Sequence, residues 1–138
     1  MTVPDRPGDL VEIDADRCVE LLGETPFVRI AFTTPDGPDI LPVNHLLHEG
    51  ALYFRTAPGS KLATAAAAGL VAIEADEADV AHRTAWSVVA AGRASIVTDE
   101  AVIEALMAEP FEPWALPDNR AFWVRVDVHR ITGRRIVR

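Results

Sequence analysis

Arg55 and Lys61 stand six residues apart in the segment FRTAPGSKL, residues 54–62, with Thr56 and Ser60 between them. An apolar run ends at Arg55, a Pro-Gly-Ser turn follows, and an alanine-rich stretch begins at Lys61. At a strand-to-helix junction of this kind two cations, two hydroxyls and the unpaired N–H groups of a first helical turn can surround one anion, which is the chemistry of a phosphate cradle. Helix-capping rules account for the same residues without any ligand. Thr56 or Ser60 then caps the helix, Pro58 sits near its first position and Gly69 lies just past its end. On the residues alone the two readings carry equal weight. The spacing is not that of a Walker loop, and the chain has no GxGxxG, so the common nucleotide fingerprints are absent.

The other residues with chemistry to offer fall on predicted strands: Asn44 and His45 on the second, Trp86 and Ser87 opening the fifth, Trp123 in the last. Amide and backbone donors along a ring edge, an indole against a ring plane and basic residues at a phosphate describe a planar cofactor with a phosphorylated tail, namely flavin mononucleotide (FMN). His45 is the one proton donor these residues nominate. His45 and His48 are three apart, and on a strand they face opposite ways, so they do not share a metal. His82 and His129 lack a partner at ligand spacing and read as surface or loop residues. Without a GxSxG elbow, and with the single Cys18 in a predicted helix, hydrolase chemistry has no nucleophile. Cys18 reads as a small core residue and Trp114 as a core or interface aromatic.

The elements that must position these groups follow from periodicity and turn chemistry. Residues 1–13, with two prolines and a glycine, read as a loose arm, after which Asp14 caps a helix to about residue 22. Strands are predicted over 27–34 and 39–48, joined by the turn Asp36-Gly37-Pro38, and a turn at Glu49-Gly50 leads to a third over 51–55. A helix over 61–68 closes at Gly69. Strands over 70–74 and 85–97 flank an acidic loop at 76–83, and Gly92 marks a bend or bulge in the longer one. Thr98 with Asp99 and Glu100 starts a helix ending near Pro110. The proline-rich stretch 111–119 is irregular, and a last strand covers 121–128. Six strands with short connections and small helices make the chain mainly β, a closed or nearly closed antiparallel barrel. So small a barrel fills its own interior, leaving a ligand an outer face, a mouth or a subunit interface.

Composition narrows the class. A chain of 138 residues, 49% hydrophobic and 25% charged, fits one globular domain of about 14 Å radius of gyration. No apolar stretch approaches the roughly 20 residues of a membrane span, and the polar, acidic start MTVPDRPGDLVEID lacks the pattern of a secretory signal, so a cytoplasmic location is expected. One cysteine excludes an internal disulfide and a CxxC pair. The net charge of -8 argues against a nucleic-acid partner. It does not argue against a small anion. Screened over ~8 Å, the global charge costs well under ~1 kcal/mol per ligand charge, while one close pair at ~4 Å returns about 4 kcal/mol before desolvation.

The segments LPVNHLLHEGALYFRTAPGSKL, TAWSVVAAGRA and FWVRV, in this order and spacing, resemble the pyridoxamine 5'-phosphate oxidase-like family of FMN-binding split barrels, over about residues 14 to 136. The resemblance implies a six-stranded split β-barrel, a homodimer with flavin at the subunit interface, and a flavin-dependent oxidoreductase acting on a small-molecule substrate, with a nicotinamide as a candidate reductant. It implies that Arg55, Thr56, Ser60 and Lys61 hold the phosphate, that Pro42, Val43 and Asn44 line the isoalloxazine ring, and that Trp86 and Ser87 approach it. Members that oxidise vitamin B6 resemble one another through a longer C-terminal segment with a Trp and a set of Arg and His residues. This chain ends instead in HRITGRRIVR, where Arg130, Arg134, Arg135 and Arg138 follow another order, and a solvated or barrel-closing tail is the better reading. A related branch of the fold is similar too and uses an 8-hydroxy-5-deazaflavin coenzyme whose polyglutamate tail favours extra basic residues near the cradle; few are present. A flavin-holding module without turnover and a flavin-free dimeric interaction domain are the non-enzymatic alternatives.

Overall fold

The computed structural model describes residues 3, 5–67, 69–115 and 119–138. The chain runs through β1 (Leu10–Ile13), α1 (Ala15–Glu24), β2 (Phe27–Thr34), β3 (Gly37–Asn44), β4 (Leu46–His48), β5 (Ala51–Thr56), α2 (Lys61–Ala66), β6 (Leu70–Asp79), β7 (Thr84–Ile96), α3 (Glu100–Met107) and β8 (Phe122–Ile136). Local chemistry explains the boundaries. The Asp14 carboxylate accepts from Arg17 N at 2.9 Å to start α1, and Asp99 does the same for α3 through Ala101 N at 2.9 Å. Glu49 and Gly50, at φ 47° and 79°, give the doubly left-handed turn that a two-residue hairpin between β4 and β5 needs.

All eight strands join one antiparallel sheet in the order β3-β2-β6-β7-β8-β5-β4, with β1 pairing the far end of β8. β3 and β4 thus lie at opposite ends of the sheet, yet His45 alone separates them in sequence. One residue advances the chain by only ~3.8 Å, so the sheet has to curl until its ends meet, and the result is a split barrel. Val28, Ile30 and Phe32 alternate inward from β2 and meet Ile73, Val88, Ala90, Val124 and Val126 in the main core, which α1 covers with Cys18, Leu21 and Leu22. β5 is buried on both faces. Leu52 and Phe54 enter the main core, while Ala51 and Tyr53 pack with Leu106 of α3 and Trp123 of β8 in a second, smaller cluster.

Several expected boundaries need correction. The loose arm over 1–13 ends in β1, because Leu10 to Ile13 find open strand at Gly133 to Ile136. The expected second strand, 39–48, is two strands with different neighbours, so the sheet has eight strands rather than six. The acidic stretch from Asp76 is still strand as far as Asp79, since each residue keeps a partner on β7. β8 continues from Val128 to Ile136, with Arg130 paired to β7 and Arg134 and Arg135 held between β7 and β1, which realises the barrel-closing reading of the tail as far as Ile136. α2 ends at Ala66; the expected helix end at Ala68 lies outside the described residues, as do positions 116–118 of the irregular segment. No helix among the described residues is long and apolar enough to cross a membrane.

The outer edge formed by β3 carries prolines at 38 and 42, opposite Thr33 and Arg29, and the N–H of Ile40 between them donates to the Asp39 side chain at 2.8 Å.

The irregularity expected in β7 at Gly92 is a bulge whose extra residue lies on the partner strand β8. Ala91 pairs Arg130 and Gly92 pairs Val128, leaving His129 as the extra residue on β8. A Cβ on Gly92 would fall onto the Asp127 carbonyl oxygen, a backbone atom that cannot swing aside. Gly92→Ala is therefore expected to lower stability by about 1–3 kcal/mol, read as a lower urea midpoint with little change in slope; a wild-type midpoint would show that the bulge has room to spare.

Candidate functional site

A cleft of ≈ 600 Å³ opens where the two ends of the sheet meet. Pro42, Val43 and Asn44 from the end of β3 form one wall and Arg55, Thr56 and Ala57 at the end of β5 another; Phe27, Phe111, Pro113, Trp114, Ala115 and Ala121 complete it. The curl that places β3 against β5 thereby unites five residues singled out in the sequence, Pro42, Val43, Asn44, Arg55 and Thr56.

Arg55 anchors the cleft. Its Nη2 donates to the Ala121 carbonyl at 3.1 Å, and its guanidinium carbon lies 5.6 Å from the centre of the Trp123 ring. Its Nε–H is buried without an acceptor, and so is the Nε1–H of Trp123. An unmet buried donor costs about 1–3 kcal/mol, so Arg55, which lines the cleft, marks a place where an acceptor from a ligand would be stabilising, whereas Trp123 lies behind it in the smaller cluster. Ser60 caps α2 by accepting from Ala63 N at 2.9 Å, and the Ser60 and Thr56 hydroxyls lie 3.0 Å apart. The capping alternative is thus realised, yet it leaves the cradle a donor. One hydroxyl proton joins the pair, and the other remains free to reach an anion whichever way the pair is oriented.

Other candidates are placed elsewhere. Lys61 is exposed and lines a separate hollow of ≈ 330 Å³ with Thr33, Asp36 and Thr64. Trp86 and Ser87 lie on β7 opposite Arg135 and Arg134, and Trp86 lines a second cleft of ≈ 610 Å³ with Arg17, Arg135 and Arg138. Arg55 is paired with Trp123, twelve residues before Arg135 on the same strand, a path of roughly 40 Å along β8. Within one chain the two groups face different spaces. Asn44 is already engaged: its Oδ1 accepts from Trp114 N at 2.8 Å, and its Nδ2 has only a long contact to the Pro26 carbonyl at 3.4 Å. Trp114 is neither core nor plain loop, being 66% exposed and stacked on Phe27. Phe27, Phe111, Trp114 and Ala121 were not foreseen as lining, and the available signal was two aromatics within a proline-rich stretch that needs none to be a loop.

His45 has a different task from the one the sequence suggested. It is buried outside the cleft, and its Nε2 lies 2.9 Å from the Leu22 carbonyl and 2.8 Å from the Thr25 carbonyl. Two carbonyl acceptors fix the Nε2–H tautomer and leave Nδ1 buried without a partner. The backbone N–H of His45 adds a bond to the Pro26 carbonyl at 3.0 Å. His45 fastens the β3–β4 crossover to the end of α1 and is not a proton donor at the cleft. Among the described residues no cluster of His, Cys, Asp and Glu could hold a metal ion.

The family model for pyridoxamine 5'-phosphate oxidase matches residues 14–135. The chain belongs to this family. An uncharacterized protein of Mycobacterium tuberculosis is 37% identical over 141 residues, covering 97% of this chain and 90% of its own length. Among solved structures, the FAD binding protein from Mycobacterium smegmatis is similar at 35% identity and TM-score 0.81, over 92% of this chain and 98% of that one. A conserved protein of unknown function from Corynebacterium diphtheriae is similar at 29% identity and TM-score 0.77, over 93% and 98%. The curled antiparallel sheet is the split barrel of this family, and its members include flavin-binding proteins.

Burial holds the His45 pKa below its ordinary 6.5, against the opposing pull of its two carbonyl bonds. The unfolded chain then binds a proton in mild acid that the folded chain refuses, so His45 contributes stability above about pH 6.5 and this contribution is lost as the pH falls below it. Urea midpoints measured from about pH 7.5 to 5.5 should decline for the wild type and decline less for His45→Gln; parallel slopes would rule out His45 as the titrating group.

Proposed function

We propose that the chain binds a flavin nucleotide in the Arg55 cleft and acts as a flavin-dependent oxidoreductase on a small-molecule substrate, working as a homodimer. The observation that carries this reading is the buried, unmet donor at Arg55 Nε, on a residue that lines a cleft walled by Pro42, Val43 and Asn44. Arg55 would hold the flavin's phosphate with the free hydroxyl of the Thr56–Ser60 pair, and Lys61, on an exposed and flexible stem, would add a second positive charge. Pro42 and Val43 would lie along the ring. Trp86 and Ser87 lie too far from Arg55 along β8 to serve the same flavin from one chain, so in this reading a second copy supplies them. FMN and FAD share every group these residues would recognise, and the name of the M. smegmatis relative favours FAD.

A bound flavin supplies two-electron transfer, for which a nicotinamide is a suitable reductant. The chain's own part is to seat the phosphate, orient the ring and keep water from its buried face. No ionisable side chain other than Arg55 lines the cleft among the described residues, so protons exchanged there would come from substrate or solvent.

The freshly purified protein is expected to be yellow and to release FMN or FAD on heating, identified by mass. Arg55→Ala combined with Lys61→Ala should weaken flavin binding at least about 100-fold, given ~1.5–3 kcal/mol for each charge-assisted contact, with far-UV circular dichroism and sedimentation unchanged. Retention of wild-type affinity would remove the phosphate seat from these residues, and release of a deazaflavin would change the cofactor.

A further inference from the structure

The open end of the cleft has its own chemistry. Phe27 and Trp114 stack there with ring centres 4.6 Å apart and planes 19° from parallel, although Phe27 is 45% and Trp114 66% exposed. A stacked aromatic pair normally covers core, but this one lines a cavity and stays largely exposed among the described residues. It is also held in place. Asn44 Oδ1 accepts from Trp114 N, tying the segment to β3, and Pro113 restricts the backbone beside it. Its surroundings are apolar: Pro42, Val43, Pro113 and Ala115 share the lining, and Arg55 is the only charged residue there among the described residues.

We propose that the Phe27–Trp114 pair is a stacking shelf that selects flat, uncharged aromatic or quinonoid rings as the substrate of this cleft. The inference rests on the flavin reading for the reaction but not for the binding, which the shelf provides by itself. Asn44 is a positioning residue for the shelf, acting through the backbone of Trp114. A ring laid on an exposed indole gains dispersion and solvent exclusion with little entropy to lose, because the platform is already ordered.

Equilibrium dialysis of the purified protein against naphthoquinone, without reductant, tests this, with a saturated bicyclic diketone as the non-planar control and visible absorbance recording flavin content. The wild type should bind the quinone saturably and the saturated ring at least about tenfold more weakly; Trp114→Ala should lose roughly tenfold in quinone affinity. Trp114→Phe should stay within about threefold of the wild type. Saturable quinone binding that depends on Trp114 in a protein without flavin would uphold the shelf while removing the flavin reading. Equal affinities in the wild type and Trp114→Ala, no discrimination against the saturated ring, or loss of flavin together with quinone in Trp114→Ala would overturn the shelf.

Discussion

The fold depends on a crossover one residue long. β3 and β4 occupy opposite ends of an eight-stranded path, and the chain passes between them at His45. A flat sheet of this order could not be connected in this way, so the curl of the barrel follows from the connection as well as from strand twist. His45 fixes the crossover by binding the chain just before β2 three times, through Nε2 to Leu22 and Thr25 and through its own N–H to Pro26. Each bond is individually modest, about 1 kcal/mol net. Together they hold the C-terminal end of α1, the start of β2 and the junction of the sheet's two ends.

The cleft is a by-product of the same closure. Where the ends of a curled sheet meet without a hydrogen-bonded ladder, a seam remains, and here the seam runs between Pro42–Asn44 and Arg55–Thr56. Its polar groups come from strand ends and are steadied by neighbours in the smaller cluster, as Arg55 is by Trp123 and Trp123 by Phe111 with ring centres 5.3 Å apart. This second cluster under α3 therefore has a purpose beyond stability: it fixes the direction from which a cation faces the seam.

What could be read from the sequence follows the range of the forces involved. Strands with strict alternation, such as β2, and helices with a clear cap, such as α1 and α3, were legible because a few adjacent residues determine them. Gly92 was legible because only glycine tolerates the approach of the Asp127 carbonyl. β1 was not, since Leu10 to Ile13 are strand only by virtue of a partner more than a hundred residues away. The break at His45 was hidden for the same reason: both sides of it look extended, and only the pairing reveals that they belong to different ends of the sheet. At the site, five of the nine residues that the resemblance implied line the Arg55 cleft, while Lys61 and Trp86 line other cavities. Phe27 was not singled out, and Trp114 was read as a core or interface aromatic, because the significance of the pair lies in exposure, which a sequence does not display.

The blocked edge of β3 has a consequence for how copies of this chain can meet. Along an antiparallel edge every second N–H points outward, and positions 38, 40 and 42 share that phase. Two are prolines, and the third is occupied by the Asp39 carboxylate. Over positions 38–42 an incoming strand would find carbonyls but no donors, so growth by strand addition, the usual route from an open sheet edge to fibrous aggregates, is disfavoured along this stretch of β3. Ile40 and Leu41 can remain exposed on that edge without inviting it.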